Sequence, residues 1–298
     1  MKQDRSPAFY FSAFVLALAA ALLAAAVASP WIQDLIRPVR SAQLHRVFSR
    51  LAELGLFLGT WWLLRRLDLV DRRLLGYGTS LPLFLKRVAL GLLIGLPLMA
   101  LSLVPLFLLG LRSPAPQAVA FASVLLHQFP AALLTGVSVA LLEETFFRGA
   151  MQGAMSRRGA FGLALFGVPV VYATVHFLGE TVRVPNEQVT WLSGFTVLRS
   201  FFGAFSEPAQ VWDAFIALYF VGLLLGLVRR RWGDVAVCIG MHAGFVAIIA
   251  LLRKNSIAHE TAPWSFLSGS WDGLLGLWIA LVSALGCVIV ARLPLRKA

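Results

Sequence analysis

The amino-acid sequence predicts an all-α, polytopic membrane protein with about eight transmembrane helices and an active site in the core of the helix bundle. Composition is the first observation. Of the 298 residues, 59% are hydrophobic and 13% are charged, whereas soluble domains have about 45–50% apolar and about 25% charged residues. The second observation is that long apolar runs recur along the whole chain. The third is that most charged residues fall between these runs.

A helix needs about 20 mostly apolar residues to span a bilayer. Eight segments fit this requirement, at approximately 8–27, 47–64, 88–109, 118–155, 161–178, 211–228, 235–252 and 274–291. The fourth is too long for one crossing, and we expect Pro130 to kink it or to mark a separate entry segment. The first follows Lys2 and Arg5 as a signal peptide does, but its length exceeds the 7–15 residues of a signal core. We therefore expect a retained first span.

The chain is predicted to form a single transmembrane domain over residues 1–298, without internal repeats. Residues 179–210 are the longest interruption between spans, and aromatic side chains alternate there with charged ones. Such a composition is typical of an amphipathic segment at the membrane interface rather than of a soluble domain. We expect an interfacial loop there.

Small residues at four-residue spacing allow helices to approach one another closely. Three such pairs lie in the third, sixth and seventh predicted spans, namely Gly91/Gly95, Gly222/Gly226 and Gly240/Gly244. We expect close helix–helix contacts at these positions.

The formal net charge of +12 is carried mainly by arginines in short loops, as on the cytoplasmic side of membrane proteins. We therefore expect a lipid bilayer and no nucleic acid as partner. Placing both termini in the cytoplasm puts most Lys and Arg residues inside. Arg37, Arg40, Arg46 and Arg50, between the first two spans, run against this orientation. The alanine- and arginine-rich composition favours a bacterial source, and hence the inner membrane.

Two adjacent carboxylates and an arginine stand within the fourth apolar run, at Glu143, Glu144 and Arg148. Each ionisable group at the centre of a bilayer costs about 2.5–3.5 kcal/mol on insertion scales, so such groups are a functional-site hypothesis by default. On a helix, residues i and i+4 share a face, whereas adjacent residues point about 100° apart. We expect Glu144 and Arg148 to form an ion pair, which leaves the Glu143 carboxylate for chemistry.

Further polar residues could join this site. If the fourth and fifth spans form a hairpin turning near Arg158-Gly159, equal rise per residue puts Glu143 and His176 at nearly the same depth, where they could share one water. Tyr172, one turn before His176, could orient the imidazole. His242 lies between Gly240 and Gly244, so that a neighbouring backbone can approach its ring. His127, near Pro130, is better explained by a structural role.

Three short patterns resemble those of the type II CAAX prenyl endopeptidase and bacteriocin-processing family (CPBP, or abortive-infection) of intramembrane proteases. Glu143-Glu144-Thr145-Phe146-Phe147-Arg148 matches the family's Glu-Glu-x-x-x-Arg, and Tyr172-Ala173-Thr174-Val175-His176 is similar to its Phe-x-x-x-His. His242-Ala243-Gly244-Phe245-Val246 resembles its His-x-x-x-Asn, with Val246 where the family usually has Asn. The resemblance covers roughly residues 118–252, which we take as the catalytic core.

The resemblance implies a glutamate-dependent intramembrane endopeptidase that cleaves a membrane-associated protein or peptide precursor. Carried onto this chain, Glu143 would activate the water, His176 would hold or polarise it, and His242 would stabilise the oxyanion. The candidate catalytic residues are thus Glu143, Glu144, His176 and His242, with Arg148 and Tyr172 in support. No cofactor or metal is implied. Loss of one oxyanion donor typically costs about 10²–10³ in rate, so Val246 bears on efficiency or substrate choice.

Two further classes remain open at this stage. A zinc-dependent membrane protease could use the same glutamates and histidines as ligands, although no His-Glu-x-x-His is present. A non-enzymatic transporter or immunity protein could use buried Glu and His as a proton relay, or keep the fold without proteolysis. Chelator sensitivity and the presence or absence of a cleavage product distinguish these classes.

Overall fold

The computed structural model describes residues 6–37, 42–156, 159–179 and 182–294. Within these ranges the chain forms nine α-helices and one small two-stranded sheet. The helices are α1 (Pro7–Ile36), α2 (Leu44–Arg66), α3 (Leu81–Leu108), α4 (Phe121–Ser156), α5 (Phe161–Val175), α6 (Ser193–Phe201), α7 (Trp212–Trp232), α8 (Ala236–Asn255) and α9 (Leu277–Arg292).

Six of these helices are long and apolar enough to cross a membrane: α1, α2, α3, α4, α7 and α8. Two shorter apolar helices, α5 and α9, occupy the positions of the other two predicted spans. The all-α, multi-pass membrane fold is therefore confirmed, whereas eight crossings stay a prediction. The predicted orientation of the chain in the membrane depends on positively charged residues at the ends of the spans. Several of them lie outside the described residues, including Lys2, Arg5, Arg157 and Lys297.

The structure divides into two compact units. Unit 1 comprises Met1–Val70 and Thr174–Val211, and unit 2 comprises Asp71–Ala173 and Trp212–Ala298. In unit 1, α1 packs against α2 and α6 around a buried apolar cluster that includes Leu22, Phe48 and Phe201. The Phe48 and Phe201 rings lie 4.6 Å apart.

The predicted interfacial loop falls in unit 1, apart from residues 180 and 181, which the structure does not describe. Its described part contains α6 and the 3₁₀ turns Asn186–Gln188, Gly203–Ser206 and Pro208–Gln210. One face of α6 is buried through Val197 and Phe201, while Phe195 is exposed. This is an amphipathic helix, and its position at a membrane surface stays a prediction.

Helix α8 is central to unit 2, where it packs against α3 on one side and α4 on another. The contact with α3 is made by glycines on both helices, Gly91 and Gly95 against Gly240 and Gly244. A methyl group added at any of the four would lie under 3.0 Å from backbone atoms of the opposite helix. The close approach predicted from the glycine spacing is therefore confirmed for this pair of helices.

Helix α7 contacts α5 through its own glycine pair, Gly222 and Gly226. A Cβ at Gly222 would lie 3.0 Å from the ring of Tyr172 and 3.1 Å from Pro169, and one at Gly226 would lie 3.3 Å from Leu165. These glycines let α5 and α7 approach closely, so the predicted pair Gly222/Gly226 also forms a tight contact.

Helix α4 is continuous over 36 residues, but two of its turns are π-helical, Val124–Gln128 and Thr145–Met151. The first turn ends two residues before Pro130, the residue that was expected to disturb the helix. The second follows directly after Glu144. Single π-helical turns occur frequently at functional sites.

The fifth predicted span ends too late. Helix α5 stops at Val175, and the next residues form a tight turn in which the Phe177 and Leu178 amides donate to the Thr174 and Val175 carbonyls at 3.2 Å. These i→i+3 bonds tighten the chain at the helix end. His176 is therefore the first residue of this turn rather than part of α5, and the expectation that Tyr172 orients its imidazole stays a prediction.

The two-stranded sheet lies at the C-terminal end of α8. Strand β1 (Arg112–Pro114) pairs antiparallel with β2 (Ser256–Ala258), with Arg112 opposite Ala258. The Arg112 guanidinium donates to the Ser256 carbonyl and hydroxyl, both at 3.0 Å, and to the Gly273 carbonyl at 2.8 Å. Burial lowers the pKa of Arg112 from its ordinary value. The side chain thus ties three segments together just after α8.

The glycine contact between α3 and α8 predicts that alanine destabilises the protein at Gly240 but not at a glycine with open space around it. Gly240→Ala forces a methyl group against the Val88 carbonyl, so we expect a loss of about 1–3 kcal/mol of stability, the usual cost of overpacking. Gly162→Ala is the matched control, because an added methyl there meets no heavy atom within 4 Å. Thermal unfolding of the purified variants in detergent measures both. Equal midpoints for the two variants would contradict the packing described.

Candidate active site

A buried ion pair forms the base of the site. The Arg148 Nη1 group donates to Glu144 Oε1 at 2.9 Å, and the two side chains are 1% and 0% exposed. Arg148 Nη2 donates to the Gly222 carbonyl at 2.9 Å. The guanidinium carbon lies 4.6 Å from the centre of the Tyr172 ring, in a cation–π contact. The Glu144–Arg148 pair predicted from the i,i+4 spacing is confirmed.

Helix α7 receives donors from α4 at two successive turns. Arg148 donates to the carbonyl of Gly222, and Gln152 Nε2 donates to the carbonyl of Gly226 at 3.0 Å. The donors and the acceptors are both four residues apart, so this face of α4 lies along α7. The glycine pair of α7 makes its backbone carbonyls accessible to these side chains.

The π-helical turn after Glu144 is held by a hydroxyl relay. Thr145 Oγ1 donates to the Leu141 carbonyl at 2.5 Å, which uses the only proton of that hydroxyl. The Tyr77 hydroxyl, 2.5 Å from Thr145 Oγ1, must therefore be the donor to it. Burial, and to a lesser extent the charge of Glu144, raises the pKa of Tyr77. The phenol consequently keeps the proton that this bond requires.

The segment before α3 also touches α4 through its backbone. A Cβ at Gly149 would lie 2.8 Å from the Leu75 carbonyl oxygen, and one at Gly153 would lie 2.6 Å from that of Leu74. Positions 145, 149 and 153 of α4 thus all face residues 74–77. Glycine is required at two of them because the opposing backbone leaves no room for a side chain.

His242 lies between the two glutamates. Its Nδ1 atom is 2.8 Å from Glu144 Oε1, and its Nε2 atom is 3.8 Å from Glu143 Oε2. Glu144 is ionised because it pairs with a guanidinium, which stays charged in proteins. A carboxylate only accepts hydrogen bonds, so Nδ1 of His242 must carry a proton and donate it. Glu144 therefore fixes the orientation of the ring and directs Nε2 towards Glu143.

The four ionisable groups can reach zero net charge. Arg148 and Glu144 cancel each other, and Glu143 and His242 together need to hold one proton in addition to that on Nδ1. The proton can reside on the carboxyl group or on Nε2, and both arrangements leave the site neutral. Neutrality matters because an uncompensated charge in a buried site is costly. The Glu143 side chain is 29% exposed, so it is the accessible member of the group.

Tyr172 is a buried scaffold for both functional partners. Its side chain is 2% exposed, and its ring lies edge-on to His242 at 6.1 Å and to Phe147 at 5.3 Å between centroids. The same ring receives the Arg148 guanidinium. Tyr172 therefore contacts both His242 and Arg148.

The remaining candidates are His176, Val246 and His127. His176 is a residue of unit 1, and its catalytic role stays a prediction. Val246 is half-buried on α8, one turn after His242. His127 is exposed in the first π-helical turn of α4, so nothing there links it to the glutamates.

Sequence reasoning missed several residues that shape the site. Tyr77 stands in a loop between predicted spans, and no pattern in the sequence connects it with Thr145. Phe147 reads as one more apolar residue of its run. The spacing of Gly222 and Gly226 indicated a close helix contact in the sequence. It did not indicate that the carbonyls of these glycines accept hydrogen bonds.

Metal binding is an alternative use of the same side chains. Within the described residues, no group of three or more His, Cys, Asp or Glu side chains is arranged to hold a metal ion. The zinc alternative therefore has to be tested in solution.

Comparison with known families gives one match. Residues 125–248 match the family described as type II CAAX prenyl endopeptidase Rce1-like. The matched segment, which is less than half of the chain, is similar to the Rce1-like family. It begins in the first π-helical turn of α4 and ends in α8, so it includes both glutamates, Arg148, Tyr172 and His242. No curated protein and no solved structure matches the chain.

The Rce1-like match confirms the resemblance to the CAAX endopeptidase and bacteriocin-processing family that the three motifs indicated. The six long apolar helices make the chain a multi-pass membrane protein, and the match supports a CAAX-type intramembrane protease. It also implies that the substrate is a membrane-embedded protein. The roles of individual residues require the geometry above and are taken up in the proposal.

Substitutions at the two adjacent glutamates are predicted to change the stability of the folded protein by different amounts. Glu144→Gln leaves Arg148 buried without its counter-charge, and breaking one side of a buried pair typically costs about 3–5 kcal/mol. Glu143→Gln alters a partly exposed side chain of the same shape, so we expect a change of less than about 1 kcal/mol. Thermal or denaturant unfolding in detergent compares them. A Glu144→Gln variant as stable as the wild type would refute a structural role for the pair.

Proposed function

We propose that the chain hydrolyses a peptide bond of a membrane-associated protein or peptide precursor with a water molecule activated by Glu143. The observation that carries this proposal is the position of His242, whose two ring nitrogens face the two glutamates. Glu144 holds one side of the ring. The other side and the Glu143 carboxylate face one another across 3.8 Å. This distance is longer than a hydrogen bond, so a water beside the gap can contact both groups.

In the proposed reaction, the Glu143 carboxylate takes a proton from water as the oxygen attacks the carbonyl carbon of the scissile bond. The protonated His242 donates Nε2–H to the oxyanion that develops on the carbonyl oxygen, while its Nδ1–H continues to donate to Glu144. Collapse of the tetrahedral intermediate breaks the C–N bond, and Glu143 passes its proton to the leaving amine. One water is consumed, one carboxyl group and one amine are formed, and the enzyme returns to its starting charge.

Each group then has a distinct task. Glu143 acts as general base and acid, a contribution that is typically worth about 10²–10⁴ in rate. His242 acts on the oxyanion, and His176 remains the candidate for holding the water. Glu144 and Arg148 act through His242, as positioning residues. Val246 supplies no hydrogen-bond donor, so His242 carries the oxyanion without the amide that the resemblance would place beside it.

Cleavage in proteoliposomes tests the proposal. Reconstituted wild-type protein is given a set of membrane-anchored precursors, and products are identified by mass spectrometry. We expect Glu143→Gln to lower the cleavage rate by about 10²–10⁴-fold while its unfolding midpoint is retained. Glu260→Gln, which removes an exposed carboxylate at the far end of α8, is the matched control and should cleave at the wild-type rate.

The other outcomes separate the alternatives. Full activity of Glu143→Gln would overturn the proposed base. Loss of wild-type activity in a chelator, with recovery on adding zinc, would favour the metal mechanism. A correctly folded wild type that yields no product from any precursor would direct attention to transport or to a non-enzymatic role.

A further inference from the structure

Unit 1 contains a cavity that the proposed reaction does not use. Its volume is about 930 Å³, and it lies between α1 and α2, with further walls from the turn after α5 and from Phe201. Ligand sites typically measure about 300–1,000 Å³. The inner wall is apolar, formed by Leu18, Leu22, Leu51, Leu56, Val175 and Leu178. The cavity is therefore large enough for a hydrocarbon chain and has a suitable lining.

The polar residues of the cavity all lie on α2. Arg46, Ser49, Arg50 and Glu53 line it over the first three turns of that helix, with Arg46 nearest the start, and Leu56 lies one turn beyond Glu53. With 1.5 Å of rise per residue, Arg46 and Leu56 are about 15 Å apart along α2. This distance is about half of the roughly 30 Å hydrocarbon thickness of a bilayer. The cavity thus runs from a charged rim to about the depth of one lipid leaflet.

Charge pairing leaves one arginine available at the rim. Arg50 donates to Glu53 at 2.7 Å, and Arg37 donates to Asp34 at 3.4 Å. The Arg46 side chain has no carboxylate partner among the residues the structure describes, and it is exposed at the mouth of the cavity. Exposed Trp31 on the adjacent end of α1 marks the level of lipid head groups, where tryptophan is enriched.

We propose that this cavity binds an anionic phospholipid, with one acyl chain between α1 and α2 and the phosphate on Arg46. The anionic lipid is preferred because its phosphate is not already neutralised by a cation of the same head group, as it is in phosphatidylcholine. Guanidinium groups bind phosphate oxygens in a bidentate manner, and the apolar wall accepts the chain. The proposal gives a purpose to arginines between the first two spans, which do not follow the predicted orientation of the chain. It concerns binding only and does not depend on the proposed hydrolysis.

Lipid retention by the purified full-length chain tests this proposal. The protein is incubated in detergent with equal amounts of phosphatidylglycerol and phosphatidylcholine that carry identical acyl chains, and retained lipid is counted by native mass spectrometry. We expect the wild type to retain the anionic lipid about fivefold better, the effect of one basic residue at a membrane surface. Arg46→Gln should abolish the preference, and the control Arg72→Gln, an exposed arginine of unit 2, should keep it.

A second variant tests the acyl-chain site. Ala52→Phe places a ring in the cavity that Ala52 lines, so it should lower retention of both lipids while leaving the folded protein monodisperse. If that variant does not fold, wild-type retention of a short-chain anionic lipid is compared with that of a long-chain one, and the longer chain should bind more tightly.

Three results would overturn the proposal. One is equal retention of the two lipids by the wild type. Another is an unchanged preference in Arg46→Gln. The third is displacement of the lipid by inorganic phosphate together with no effect of chain length, which would indicate a simple anion site. Because the readout is bound lipid, these outcomes are independent of whether the chain cleaves any precursor.

Discussion

The burial of Arg148 is the constraint on which the rest of unit 2 depends. A guanidinium that is 1% exposed needs a counter-charge and acceptors for its donors, since removing one partner of such a pair costs about 3–5 kcal/mol. Glu144 supplies the charge, the Gly222 carbonyl supplies an acceptor and the Tyr172 ring supplies a face. Three helices are thereby fixed around one side chain, and the position of His242 follows because Glu144 also accepts its Nδ1 proton.

The same constraint separates chemistry from structure among adjacent residues. Glu144 already accepts hydrogen bonds from Arg148 and His242 on one oxygen, so its carboxylate is committed to holding the site together. Glu143 points in a different direction from α4, is partly exposed and faces the other ring nitrogen of His242. The glycines of α3, α7 and α8 allow this arrangement because they bring backbones close enough for the side chains to meet.

Much of this could be predicted from the sequence because helical periodicity is local. The i,i+4 pairing of Glu144 with Arg148 and the glycine pairs at Gly91 and Gly240 depend only on residues a turn apart, and the structure contains both. The donor Tyr77 could not be predicted, because its partner Thr145 lies 68 positions along the chain. The end of α5 at Val175 was also missed. Hydropathy continues through Phe177 and Leu178, whereas hydrogen bonding ends the helix before His176.

The arrangement of the site depends most on the hydrogen bond that His242 Nδ1–H donates to Glu144, and nitrogen NMR of isotope-labelled histidine in the reconstituted protein tests this bond directly. The chain has five histidines, and the signal that disappears in His242→Asn identifies the relevant ring. The account predicts a protonated, hydrogen-bonded Nδ1 in this ring. A His242 ring protonated only at Nε2 would contradict the account, since neither the orientation by Glu144 nor the approach of Nε2 to Glu143 could then operate as described.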